Sequence, residues 1–362
     1  MSIKCLLSAL GLSVAMSAAS FYAQAAETVK VALGTDGFVH MPLFVALDGG
    51  MFKKHGLDVE LVKFKGGGAA ASGLASRSVE FCSCAIQNAI NAKVKGADIT
   101  LLGRLVGQYA SNVVIHKDVA DRLGLTADST VEERLAAFKG LRLAVSGAGG
   151  SADFLVRFLG KEAKLDAEKD FTLLYLNNGA AMLAAFGQNK IDGFALSSPA
   201  SDSAVIDHKG YTLLDMSEGM VPELDGYPSI ALSARRQWAT ENQETVKAFL
   251  AALNDATQLI SEHPEEAMKS VRTRFEGVSD KVYAAAWENN RKSFPQTPYL
   301  TDEEVNRAIK FLGEIQNEKI PGKAEDYLTQ GALKRLAISC LISAVATDSR
   351  CVRSSFLVSS DD

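Results

Sequence analysis

The chain repeats itself. Val31-Ala32-Leu33-Gly34 is matched by Leu143-Ala144-Val145-Ser146, Gly68-Ala69-Ala70 by Gly179-Ala180-Ala181, and Val79-Glu80 by Ile191-Asp192. Lys95-Gly96 ahead of ITLL is matched by Lys209-Gly210 ahead of YTLL, so the four pairs run in order at offsets of 111 to 114 residues. A chain built this way is expected to fold as two copies of one unit.

Each copy reads as the same series of elements. A short apolar strand (VKVALG; LRLAV) leads through a polar or glycine-rich loop into a helix. The first helix reads PLFVALDGGMFKKHG, apolar at helical spacing and stopped at Gly56. The second, SADFLVRFLGKEAK, sets Phe154, Leu155, Phe158 and Leu159 on one face. A second strand follows (LDVELVKF; DFTLLYL), then a glycine turn, an alanine-rich helix and a third strand (VEFCSC; IDGFAL). A helix ending at Lys-Gly and a fourth strand complete the copy. Strands alternating with helices predict an α/β chain whose parallel sheets are covered on both faces.

Two such lobes place a ligand between them, at the carboxyl ends of their strands. The loops there supply the candidate binding residues. In the first copy these are Thr35, Asp36, Phe38 and His40, then Gly67 and Gly68, then Cys84, Ala85 and Gln87. In the second they are Ser146, Gly149, Gly150 and Ser151, then Asn178, then Ser197 and Pro199. Phe38, His40, Tyr109 and Tyr227 are the candidates for stacking on a ligand, whereas Arg77 and Arg104 read as solvated surface groups. Beyond residue 236 the chain reads as helices, with Thr240 and Thr301 as caps, and these are expected to pack back on the first lobe.

The ends read differently. Residues 1–25 have the form of a cleavable leader: Lys4, an apolar run without acids, and the small-x-small site Ala23-Gln24-Ala25. Export to a bacterial periplasm is the expectation, and no later apolar run is long enough to span a bilayer. Residues 336–362 are serine-rich without period and read as a poorly ordered tail, in which Cys340 and Cys351 could pair. The chain carries 38 Lys+Arg against 43 Asp+Glu, a formal net charge of −5, which offers no electrostatic reason to bind nucleic acid or an anionic membrane. Cys82 and Cys84 share one face of a strand; without a second Cys/His cluster they read as small buried residues, a disulfide across one residue being strained. No cofactor or metal is expected.

The stretch SGAGGSADFLVRFL (146–159) has the G-x-G-x-x-A spacing of a dinucleotide fingerprint. The acid that should hold the ribose is missing, since the next strand ends in Asn177-Asn178. The same physics suits a smaller ligand: free N–H groups at a helix start favour a small anionic or polar group at Gly149–Ala152. The plainer alternative is that Ser151 is only a helix cap and the glycines only a turn.

Several of these stretches resemble the periplasmic solute-binding proteins of the taurine, nitrate and alkanesulfonate ABC importers, a group allied to the thiamine-pyrimidine-related NMT1/THI5-like domains. The likeness is carried by HMPLFVALDGGMFKKHGLDVELVKFKGGG (40–68), SVEFCSCAIQNAI (78–90), FKGLRLAVSGAGGSADFLVRFL (138–159), NKIDGFALSSP (189–199) and NQETVKAFLAALNDA (242–256). It implies a type II periplasmic binding fold in which two strands, near 111–117 and 228–234, cross between lobes that close on the ligand. Lobe I would comprise residues 26–111 and 229–335, and lobe II residues 112–228. It further implies a monomer that delivers a small molecule to a membrane permease and its ATPase, without catalysis. Where sulfonate binders carry Gly-Ser-Thr, this chain has Gly150-Ser151-Ala152, one hydroxyl donor fewer. With Asp36 nearby, that favours a neutral, zwitterionic or weakly anionic organic ligand, sulfonate-, carboxylate- or pyrimidine-like, over nitrate. The alternatives are an enzyme on the same fold, related to the pyrimidine synthases, and a periplasmic ligand sensor.

Overall fold

A computed structural model describes residues 27–329. The leader, the tail and the Cys340–Cys351 pairing lie outside the described residues. The strands are β1 (Glu27–Leu33), β2 (Leu57–Lys63), β3 (Phe81–Ala85), β4 (Ile99–Arg104), β5 (Asn112–His116), β6 (Arg142–Val145), β7 (Thr172–Tyr175), β8 (Gly193–Leu196), β9 (Gly210–Leu214) and β10 (Ile230–Arg235). They form two five-stranded sheets, in the orders β2-β1-β3-β10-β4 and β7-β6-β8-β5-β9.

The repeat in the sequence is a repeat in register. Val31 pairs with Leu61 and Phe81, and Leu143 pairs with Leu173 and Gly193, every partner displaced by 112 residues. Each sheet is mainly parallel, as expected of each lobe, with one antiparallel strand. The chain leaves the first sheet after β4 and enters the second as β5, antiparallel to β8 and β9; it returns after β9 as β10, antiparallel to β3 and β4. Each sheet therefore holds one strand contributed by the crossing chain. β5 and β10 lie near 111–117 and 228–234, where the resemblance implies the crossings.

Burial follows from the layering. All five residues of β3 are buried, as a strand covered on both faces requires. Helix Gln243–Glu262 turns Val246, Phe249, Leu250, Leu253, Ala256 and Ile260 inward at three- and four-residue spacing. The Phe249 ring sits 4.6 Å from that of Phe52 and 4.4 Å from that of Phe81, which locks this helix to the first sheet.

Four local expectations are corrected. The helix read across PLFVALDGGMFKKHG breaks into Met41–Asp48 and Met51–Lys54, because Gly50 takes a left-handed φ of 72° between them. Thr301 caps helix Asp302–Gln316 in a capping box with Glu304, but Thr240 lies inside helix Arg236–Glu241 and donates to the Arg236 carbonyl four residues back. Arg104 is not a solvated group: it is half-buried, paired with Glu304, and donates to the Thr297 carbonyl. Cys82 and Cys84 are buried in β3, as expected, but are joined as a disulfide.

The C-terminal helices do pack on the first lobe, but Asp302–Gln316 also reaches the second. Its Phe311 ring lies 4.8 Å from Phe158 of helix Ser151–Glu162 and 5.0 Å from Tyr227. That helix spans the junction between the two sheets.

Candidate functional site

The loops at the carboxyl ends of the strands meet, and glycine is what lets them. A Cβ on Gly67 would lie 3.1 Å from the Gly150 Cα, and one on Gly68 only 2.8 Å from the Ala148 carbonyl oxygen. On Gly66 it would lie 3.2 Å from the Gly147 Cα. The loop after β2 and the loop after β6 are thus stacked backbone on backbone. A second seam runs beside them. The Phe38 N–H donates to the Ser198 carbonyl at 2.9 Å, the Asn290 amide donates to the Ser198 hydroxyl, and the Asn289 amide donates to Asp202 at 2.7 Å. The two lobes are closed on one another.

The start of helix Ser151–Glu162 is already supplied with an anion. The Asp153 carboxylate accepts the Gly149 N–H at 2.8 Å and the Arg157 Nε–H at 3.0 Å, and the Tyr175 hydroxyl lies 3.3 Å away. The Gly150 N–H donates to the Gly147 carbonyl at 3.1 Å. An acid in the first turn is what the helix dipole favours. Here it occupies a donor that an incoming anion would use, and Gly67 packs over the loop. Ser146 is buried beneath, and the Ser151 carbonyl accepts the Tyr109 hydroxyl.

His40 lies at the floor of the first loop. It is 1% exposed, sharing one hydrogen bond with the Ser83 hydroxyl at 2.6 Å and another with the Thr35 hydroxyl at 3.2 Å. Burial lowers its pKa to about 4 from 6.5, against the opposing pull of the Asp36 charge. The histidine is therefore neutral, one ring nitrogen donating and the other accepting. Because the folded value lies below the unfolded one, protonation favours the unfolded chain. The stabilisation is whole above pH 6.5 and is lost as pH falls towards 4. From this group alone the protein is expected to be about 2 kcal/mol less stable at pH 5 than at pH 7. Urea unfolding of the parent and of His40→Gln at both pH values checks this; an equal pH dependence in the two would remove the assignment.

The other candidates divide by surroundings. The Phe38 ring is enclosed by Phe275, Tyr283 and Trp287, so only its backbone faces the second lobe. Tyr227 is 1% exposed, stacked on Tyr109 at 5.6 Å, and its hydroxyl accepts from Gln87 Nε2 at 2.7 Å. Burial pushes the phenols of Tyr109 and Tyr227 well above the usual range. Cys84 and Ala85 are buried in the strand end. Gln87 Oε1, Asn88 Nδ2 and the Ser197 hydroxyl are buried at the lobe boundary with no hydrogen-bond partner among the described residues. Asn88 stands beside Gly67 and Gly149, and Ser197 beside Gly37.

Asp36, Asn178 and Pro199 open instead onto a cavity of about 650 Å³ between the lobes. Asp36 is paired with Lys63 at 2.9 Å, and Asn178 caps helix Gly179–Gly187 by accepting the Ala181 N–H at 2.9 Å. Asn88 belongs to the same candidate loop as Cys84, Ala85 and Gln87, although the sequence does not single it out there. Ser198 lies between the candidates Ser197 and Pro199, whereas Asn290, Arg274 and Phe275 carry no local signal and reach the boundary only through the tertiary fold.

Two lobes of one repeated α/β unit, linked by crossing strands and closed over convergent loops, define the two-lobed fold of the periplasmic binding proteins. Residues 24–273 match the model of the NMT1-like family, and the chain belongs to that family. It is 23% identical to YtlA of Bacillus subtilis, which is named as a binding protein, over 285 residues covering 76% of this chain and 80% of the relative. Among solved structures it superposes on the alkanesulfonate-binding protein SsuA of Xanthomonas axonopodis pv. citri bound to MOPS with a TM-score of 0.63, at 19% identity, covering 84% of this chain and 97% of that one. The periplasmic nitrate-binding protein NrtA of Synechocystis PCC 6803 superposes with a TM-score of 0.63 at 20% identity, covering 87% and 89%.

Proposed function

We propose that this chain is the extracytoplasmic solute-binding component of an ABC importer, capturing a small organic molecule between its lobes and handing it to a membrane permease and its ATPase. The observation that carries this reading is the seam itself. Two lobes on crossing strands meet through glycine backbones and a few hydrogen bonds, an interface that can separate and re-form. Binding to both lobes would shift the population towards the closed form, and that shift is all a carrier needs. Within the described residues we assign 27–111 with 229–329 to one lobe and 112–228 to the other. The sequence likeness to named binding proteins supports the role, and the SsuA and NrtA structures support the fold that performs it.

A thermal-shift screen of the protein against sulfonates, nitrate, aromatic carboxylates, pyrimidines and amino acids tests the reading. The true class is expected to raise the midpoint in proportion to the logarithm of its concentration, by about 2.7 kcal/mol of stability at a hundredfold excess over Kd. The same compound should be recovered unchanged after incubation. Chemical conversion of the bound compound would favour the enzyme alternative instead.

A further inference from the structure

The cavity beside the glycine seam has a lining that specifies a ligand class. Phe44, Phe275 and Val278 face it from the first lobe, and Leu183 and Pro199 from the second, so a bound molecule would touch apolar groups on both sides. Its volume of about 650 Å³ suits an organic molecule of one to three rings and far exceeds an oxyanion.

Its charges point the same way. Lys63 is paired with Asp36 at 2.9 Å. Arg274 lies over the Phe44 ring at 4.8 Å, and its guanidinium is held by both carboxylate oxygens of Asp48. Asp207 adds a further carboxylate, accepting from the Ser203 hydroxyl at 2.9 Å. Both cations are thus answered by acids, with one acid in excess. An anion entering here would compete with Asp36 and Asp48 for the two cations and lie beside the Asp207 carboxylate. The helix start that might have held it outside the cavity is occupied by Asp153.

We propose that this interlobe cavity is the ligand site and that it takes a flat aromatic molecule that is uncharged or cationic, and excludes organic anions. The inference rests on the carrier reading above and narrows it. Its parts are the apolar walls, which hold the rings, and the Lys63–Asp36 and Arg274–Asp48 pairs, which reject negative charge.

A matched pair of fluorescent probes tests it: N-phenyl-1-naphthylamine, uncharged, and 8-anilinonaphthalene-1-sulfonate, the same rings with a sulfonate. The uncharged probe is expected to bind the protein saturably with one site, and the sulfonate at least about tenfold more weakly. Ser203→Trp and, from the adjoining helix, Ala180→Trp should each abolish the uncharged probe's site while leaving the unfolding midpoint within a few degrees of the parent. Asp36→Asn, which frees Lys63, should narrow the gap between the probes. Equal or tighter binding of the sulfonate would overturn the proposal, as would binding that survives both tryptophans, or no saturable binding of either probe. A compound from the thermal-shift screen whose binding ignores both tryptophans would sink this site and leave the carrier role standing.

Discussion

Gly68→Val is expected to weaken ligand binding by about 10- to 100-fold while leaving the ligand-free protein nearly as stable as the parent. In the closed form its Cβ would lie 2.8 Å from the Ala148 carbonyl oxygen, a backbone atom that cannot swing aside. Overpacking of this kind costs about 1–3 kcal/mol. Opening the lobes relieves it, because Gly68 is half-exposed in the first turn of helix Gly67–Ala75 and its φ is not left-handed. The cost therefore falls on the closed state alone, and apparent affinity drops by the fraction of closed molecules lost. Isothermal titration with a compound found in the screen measures the first quantity. Small-angle scattering measures the second as a larger radius of gyration. A variant that binds normally would mean that the two loops do not meet in the ligand-bound state.

The second large effect is on stability and lies away from the seam. Arg134 is charged, stands in a short helix (Val131–Ala136), and is nonetheless only 4% exposed. Its guanidinium donates to the carbonyls of Thr126 (2.8 Å), Ala127 (2.9 Å), Ser129 (2.9 Å) and Leu213 (3.1 Å). One side chain thereby satisfies the turn before its own helix and ties it to β9. Arg134→Ala would strand buried carbonyls and open a void, for an expected loss of about 3–4 kcal/mol in urea unfolding. Arg134→Lys should recover less than half, because an ammonium has three donors and no planar fork. A loss below about 1 kcal/mol in the alanine variant would show that water replaces these bonds at little cost.

The architecture was legible because it is written as a period. Apolar strands alternate with helices, and the offset between Val31 and Leu143 reappears in the sheets as the same register. The single antiparallel strand in each sheet was not legible as such. β5 and β10 are apolar runs like their neighbours, and their direction depends on the side from which the chain enters. The site was half legible. The structure does bring the glycines near 67 and 149 together, but a glycine-rich turn before a helix signals only that something approaches the backbone. The structure brings another backbone there, and it places the Asp153 carboxylate on the N–H that the sequence had offered to a ligand. Cys82 and Cys84 show the same limit, since whether two thiols on one face meet depends on the local Cα separation.

What the amino-acid sequence determined by itself is the unit and its duplication, because hydrophobic period and turn chemistry act over a few residues and need no distant partner. Only the tertiary structure decided which groups face one another across the lobes. Asp36 and Arg274 line one cavity although well over two hundred residues separate them, and Asn290 reaches Ser198 across the boundary. Such contacts depend on how two independently patterned sheets are oriented, and that orientation is set by the crossing strands and the bridging helix Asp302–Gln316 rather than by any local run of residues.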